Sequence, residues 1–142
     1  MEIDPDIKRI DGACHCGTVR FRVTLTDGLH TARRCTCSYC RMCGAVAVSA
    51  DLGGVEIIAG GDALATYTFN TGTAKHHFCT RCGIYTHRQR RSNPGQYGVN
   101  AACLAGISPF DFAEVPVLDG ANHPSDGNPS RRVGMLRFER TD

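Results

Sequence analysis

Apolar and polar residues alternate with period two along much of this chain, in runs too short for long helices. Between Thr18 and Thr24, Val19, Phe21 and Val23 face one way and Arg20 and Arg22 the other, which predicts a strand with one buried face. Ala45 to Ser49 predicts a second strand. Val55 to Ile58, bounded by Gly53-Gly54 and Gly60-Gly61, predicts a third. Leu64 to Phe69 predicts a fourth, ending at the turn signal Asn70-Thr71-Gly72. Lys75 to Phe78 and Ile84 to Thr86 form a hairpin around Cys79-Thr-Arg-Cys-Gly83, the form of a zinc-ribbon knuckle. Tyr97 to Leu104 and Val133 to Glu139 complete the strands. Residues 1–12 read as a polar lead-in and 119–132 as loop. Ser108-Pro109 opens a short helix, with Ser108 as N-cap. The expected fold class is mainly β with little helix. Residues 1–142 are expected to form a single domain, large enough to bury about two-thirds of its unfolded surface.

Composition alters this picture in one respect. Nine cysteines stand in 142 residues, four of them in Cys35-Thr-Cys-Ser-Tyr-Cys-Arg-Met-Cys43. A secreted disulfide scaffold shows an even count in a shorter chain behind a signal peptide, and a Cys-x-Cys pair spans a relaxed disulfide poorly. Thiolates gathered this closely hold a soft or borderline metal instead. The rest is ordinary. Sixteen basic against fourteen acidic residues give a net charge of +2, which supplies no drive toward nucleic acid or an anionic membrane. The acidic start Met-Glu-Ile-Asp-Pro-Asp lacks a signal-peptide pattern, and no apolar run reaches membrane-spanning length. A soluble, cytoplasmic protein is expected.

Ligand counting divides the thiols. Structural zinc takes four ligands in a tetrahedron, so the Cys14/Cys16 and Cys79/Cys82 pairs together make one site, joining segments 63 residues apart (79 minus 16). Closing so long a loop costs entropy that a structural zinc outweighs. That leaves Cys35, Cys37, Cys40, Cys43 and Cys103. Three ligands and an open position characterise a catalytic zinc, whereas a fourth thiol would close the site. Spacing leaves open whether Cys43 does so. An iron–sulfur centre on Cys35, Cys37, Cys40 and Cys43 fits the usual cluster spacings poorly.

Four segments together resemble the glutathione-dependent formaldehyde-activating enzyme family, which includes S-(hydroxymethyl)glutathione synthase and centromere protein V. They are Gly12-Ala-Cys-His-Cys-Gly-Thr-Val-Arg-Phe21, Cys35-Thr-Cys-Ser-Tyr-Cys-Arg41 followed by Gly44, Phe78-Cys-Thr-Arg-Cys-Gly83, and Val99-Asn-Ala-Ala-Cys-Leu104. The resemblance implies a β-tent-like fold of small antiparallel sheets built around zinc-binding cysteine knuckles, with two Zn2+ per chain. It implies that Cys14, Cys16, Cys79 and Cys82 hold a structural zinc, and that Cys35, Cys37 and Cys40 hold the catalytic one. The sequence departs from the family at Cys43, where a small polar residue is commoner.

The implied activity is that of a carbon–sulfur lyase or synthase acting on a thiol–aldehyde adduct, joining glutathione and formaldehyde or a related pair. The alternative is a non-catalytic zinc module that binds a protein partner. Three thiolates weaken a zinc as a Lewis acid, which favours activation of the thiol over polarisation of the aldehyde. Arg41 and the Arg88/Arg90/Arg91 stretch are candidates to receive an anionic thiol, although that stretch reads first as a solvated basic turn. His15, His76 and His77 read as exposed or hydrogen-bonding residues, with ligand or general base as the alternative. His87 and His123 could line a pocket. Tyr39 is expected to pack, and Cys103 to behave as a small buried hydrophobe.

Overall fold

The computed structural model describes residues 3–123 and 127–141. The strand alternation builds the larger of two sheets. β1 (Arg9–Ala13), β2 (Arg20–Leu25), β4 (Ala47–Ala59), β5 (Leu64–Tyr67), β6 (Lys75–Cys79), β7 (Tyr85–Gln89) and β8 (Gln96–Asn100) form seven antiparallel-paired strands in the order β1-β2-β4-β8-β7-β6-β5. β3 (Arg34–Cys35), β9 (Glu114–Leu118) and β10 (Arg132–Arg137) form the smaller sheet, in the order β10-β9-β3. The inward residues of β2, Phe21 and Val23, pack with Val19, Val48 and Val99 in a core of fully buried side chains. Each contributes about 1.5–3 kcal/mol by leaving water. The mainly β class is as the sequence predicts.

Several boundaries differ. The lead-in contains β1: Ile10 and Gly12 are buried on the β2-facing side, and the Phe21 ring lies so close to Gly12 that a Cβ there would stand 2.6 Å from it. The second and third predicted strands are one strand. β4 runs unbroken through Gly53-Gly54, which form a bulge rather than a turn. Between Ala50 and Val55 the chain advances five residues while β2 advances two. Gly53 takes φ +89° to do so, a conformation open to glycine. The half before the bulge pairs with β8 and the half after it with β2. β7 extends to Gln89 and so includes Arg88. β8 stops at Asn100, whose side chain caps a 3-10 turn over Ala101–Cys103, so Cys103 lies outside the strand. The helix expected at Ser108 is a single 3-10 turn, Pro109–Asp111, with Ser108 and Asp111 completing a capping box. One pairing is parallel, β3 with β9, in an otherwise antiparallel fold. The expected 119–132 loop holds for 119–123 and 127–131, while Arg132 already belongs to β10.

Candidate metal centres and the adjoining cleft

Two hairpins carry the first centre. Cys14 and Cys16 sit in the β1–β2 connection, and Cys79 and Cys82 in the β6–β7 connection. In each knuckle a backbone N–H folds back onto a sulfur: Val19 donates to Cys14 Sγ at 3.3 Å and Arg81 to Cys79 Sγ at 3.4 Å. The closing glycines Gly17 and Gly83 donate to the carbonyls of Cys14 and Cys79. The four sulfurs lie within 4.8 Å of one another. Cys14 and Cys16 are 3.6 Å apart, and Cys16 and Cys79 3.8 Å. A tetrahedron with zinc–sulfur bonds of about 2.3 Å has sulfur–sulfur edges of about 3.8 Å. The donor set therefore fits zinc in chemistry, number and spacing. Cys14 and Cys79 are buried, and none of the four lines the large cleft described below.

The second centre is built on a six-residue helix, α1 (Ser38–Cys43). Cys37 is its N-cap, and its sulfur accepts from the Cys40 N–H at 3.3 Å; Cys35 Sγ accepts from the Cys37 N–H at 3.4 Å. These local bonds gather the sulfurs of Cys35, Cys37 and Cys40 within 4.8 Å of one another. Such crowding cannot hold three thiolates without a cation. Hydrogen bonds from Cys35 and Cys40 hold the Cys37 thiol down at about 2, while the same contacts push Cys35 and Cys40 up. Cys43, at the far end of α1, is exposed and outside this trio, with its thiol against Tyr39. The trio is thus a three-thiol set with the spacing of a metal site.

All three thiols line a cleft of about 640 Å3 between α1, β7 and the loop after β9. The parallel β3–β9 pairing brings that loop in. Thr36 Oγ1 accepts from the N–H groups of Gly120 at 3.0 Å and Ala121 at 3.2 Å. A Cβ on Gly120 would collide with Cys35 Sγ and stand 2.9 Å from the Cys37 nitrogen.

Six arginines line the cleft: Arg33, Arg41, Arg88, Arg90, Arg91 and Arg131. The single carboxylate among the described lining residues is Asp119, already engaged by Asn122 and Arg131. Arg88 is no solvated turn residue. It is partly buried in β7, and its Nη1 donates to Cys40 Sγ at 2.7 Å. Burial would pull this guanidinium down, but Tyr85 and the thiols of Cys40, Cys35 and Cys37 hold it up. Arg33 is buried. Its Nη1 donates to Ser49 Oγ at 2.9 Å and to the Thr31 carbonyl at 3.0 Å, yet Nη2 has no partner among the described residues. Burial, then repulsion from Arg90 and Arg88, lowers it to about 9. A buried cation facing other cations is costly until an anion enters.

The histidines separate by strand alternation. His76 is buried and lines the cleft; its neighbour His77 faces away, bonded to Thr66 Oγ1 at 2.9 Å. His87 is buried beside Phe21 and Tyr97 and stays out of the cleft, whereas His123 lines it. His15 is exposed on the first knuckle. Tyr39 packs as expected, its ring 3.9 Å from that of His76. Cys103 is buried, and burial pushes its thiol up to about 12. Sequence reading missed Arg33, which stands two residues before Cys35 but whose burial no local pattern marks, and Gly120, which a loop 84 residues from Thr36 brings to the thiols.

Comparison with known proteins finds relatives in sequence and in structure. A curated Halomonas elongata protein, described as a putative glutathione-dependent formaldehyde-activating enzyme, is 33% identical over 81 residues, covering 51% of each chain. The chain thus spans about half the length of that relative. A crystal structure of a Rhodobacter sphaeroides protein superposes with a TM-score of 0.74 at 53% identity, covering 76% of this chain and 99% of the other. The family model for the glutathione-dependent formaldehyde-activating enzyme matches residues 9–114, well over half of the chain. The chain belongs to the glutathione-dependent formaldehyde-activating enzyme family.

Proposed function

We propose that this protein is a zinc-dependent carbon–sulfur lyase or synthase that joins an anionic thiol, glutathione or a close analogue, to formaldehyde. The observation that carries this reading is a three-thiol cluster opening into a cleft lined by six arginines. Cys14, Cys16, Cys79 and Cys82 would hold a zinc that ties the two hairpins together. Cys35, Cys37 and Cys40 would hold the second. In that position zinc supplies acidity to a thiol, since a centre carrying three thiolates is a weak Lewis acid.

The chain's own groups do the rest. Arg88 donates to Cys40 Sγ and offsets the negative charge of the trio. Arg33 offers its unpartnered Nη2 to a substrate carboxylate, and Arg90, held by Gln96 Oε1 at 2.8 Å, adds charge beside it. Placing the tripeptide's carboxylates there holds its thiol near the trio, which is catalysis by positioning. Cys43, exposed and turned to Tyr39, leaves the trio open.

The test is turnover. Glutathione and formaldehyde are mixed with zinc-loaded protein, and S-(hydroxymethyl)glutathione formation is followed by NMR exchange. Acceleration that Cys37→Ser abolishes supports the reading; full turnover by Cys37→Ser, or no acceleration by the native protein, refutes it.

A further inference from the structure

Among the polar side chains that line the cleft and that this scheme leaves idle, His76 is the buried one with no hydrogen bond among the described residues. His76 is only 2% exposed, and neither Nδ1 nor Nε2 has a hydrogen-bond partner among the described residues. Folds seldom leave two buried polar atoms unsatisfied, and where they do, function is a common reason. The ring is held in place. Tyr39 lies 3.9 Å from it by ring centroids and Phe69 5.6 Å, the latter nearly parallel at 15°. In the β6–β7 ladder His76 stands directly opposite Arg88, the residue bonded to Cys40 Sγ. Opposed residues share a face, so the imidazole and the guanidinium both project toward the thiol trio. The neighbouring position offers a contrast: His77 on the other face has its bond to Thr66.

We propose that His76 is the proton-transfer residue of the thiol–aldehyde reaction, an inference that rests on the function proposed above. One ring nitrogen takes the proton of the substrate S–H as the sulfur attacks the carbonyl carbon. The S–H bond breaks, the S–C bond forms, and the C=O π pair moves onto oxygen. The imidazolium then gives its proton to that oxygen, leaving an S–CH2–OH product and a neutral imidazole. Atoms and charge balance with no further reactant, and the reverse sequence releases formaldehyde. The environment favours the second half. Burial, helped by Arg88, lowers the imidazole to about 4 against the opposing pull of Cys37, so it begins neutral. An imidazolium formed in that setting is a strong acid, ready to protonate the alkoxide.

Two substitutions test this in the zinc-loaded full chain with glutathione and formaldehyde. His76→Phe keeps the stacking on Tyr39 and Phe69 and removes both nitrogens, while His76→Ala leaves a cavity. Both are expected to lower kcat by about 10²–10⁴-fold, with KM for glutathione little changed. Metal content should remain that of the native protein. Free imidazole should restore part of the His76→Ala rate and none of the His76→Phe rate. Native-like kcat in His76→Phe, no response of His76→Ala to imidazole, or loss of a metal from either variant overturns the proposal. If the native protein itself does not turn over the two substrates, the functional reading fails and this inference with it. Turnover retained in His76→Phe defeats the inference alone.

Discussion

Gly120→Ala places a methyl group where the structure has none to spare. Its direct obstacles are Cys35 Sγ, the Cys37 nitrogen at 2.9 Å and Cys37 Cβ at 3.0 Å. Cys37 cannot retreat freely, because its own sulfur caps α1 by accepting from the Cys40 N–H. The loop cannot retreat freely either, since Gly120 and Ala121 both donate to Thr36 Oγ1. Overpacking at a fixed contact costs about 1–3 kcal/mol. The methyl group strains the thiol trio in its metal-holding geometry, so about 5- to 150-fold weaker metal binding is expected at the second centre alone. The entropy that alanine removes from the unfolded chain offsets only part of this cost, so a modest fall in thermal stability should accompany the weaker metal binding. The assay is competition with a chromogenic chelator, which resolves two zinc affinities per chain, alongside thermal unfolding. Native affinity at both sites would refute the packing described here, and loss of both metals together would refute the independence of the two centres.

Three further outcomes follow from the same geometry. Cys79→Ser removes one of the four thiols proposed to hold the zinc that joins the two hairpins. Such a metal is worth roughly 10–16 kcal/mol in small finger peptides, against a total stability of about 5–15 kcal/mol for a domain, so the variant should lose its cooperative calorimetric transition; Cys37→Ser should keep it. Arg33→Gln removes a buried cation whose Nη2 has no partner among the described residues: glutathione affinity by calorimetry should fall about 10- to 150-fold, the worth of a charged hydrogen bond, while the melting temperature holds or rises. His87, pulled down to about 3 by burial and then by His77, must bind a proton on unfolding at any pH between that value and about 6.5. Its contribution is therefore full above about pH 6.5 and is lost as pH falls, so the native-minus-His87→Gln difference in urea unfolding free energy should fall from pH 6.5 to pH 5 by up to about 1.4 kcal/mol per unit, and a flat difference would refute it.

What the sequence made legible was whatever is local. Alternation in Thr18–Thr24 marked β2, and the knuckle spacings separated the two thiol sets, because chelation and pleating act over a few residues. Gly53-Gly54 misled because a glycine pair in a strand reads the same whether it turns the chain or bulges it, and only pairing with both β2 and β8 decides. Arg88 read as part of a basic surface run because its burial depends on the β6–β7 register, which places it opposite His76 and against Cys40. Arg33 stands two residues before Cys35 but owes its burial to tertiary packing, while His76 comes from β6 and Gly120 from the loop after β9, which no short spacing relates to Cys35, Cys37 and Cys40. The thiol half of the site is thus written in the short Cys35–Cys40 motif, and the cleft in tertiary pairing.

The central claim is an open metal centre that accepts a thiol, and cobalt(II)-substituted protein titrated with glutathione tests it most directly. Cobalt reports its ligands and geometry in the visible spectrum, where zinc is silent. The account predicts two cobalt ions per chain, one with an invariant four-thiolate spectrum and one whose bands shift saturably as glutathione binds. Two invariant four-thiolate spectra would contradict it, placing Cys43 in the second centre and the protein among non-catalytic zinc modules.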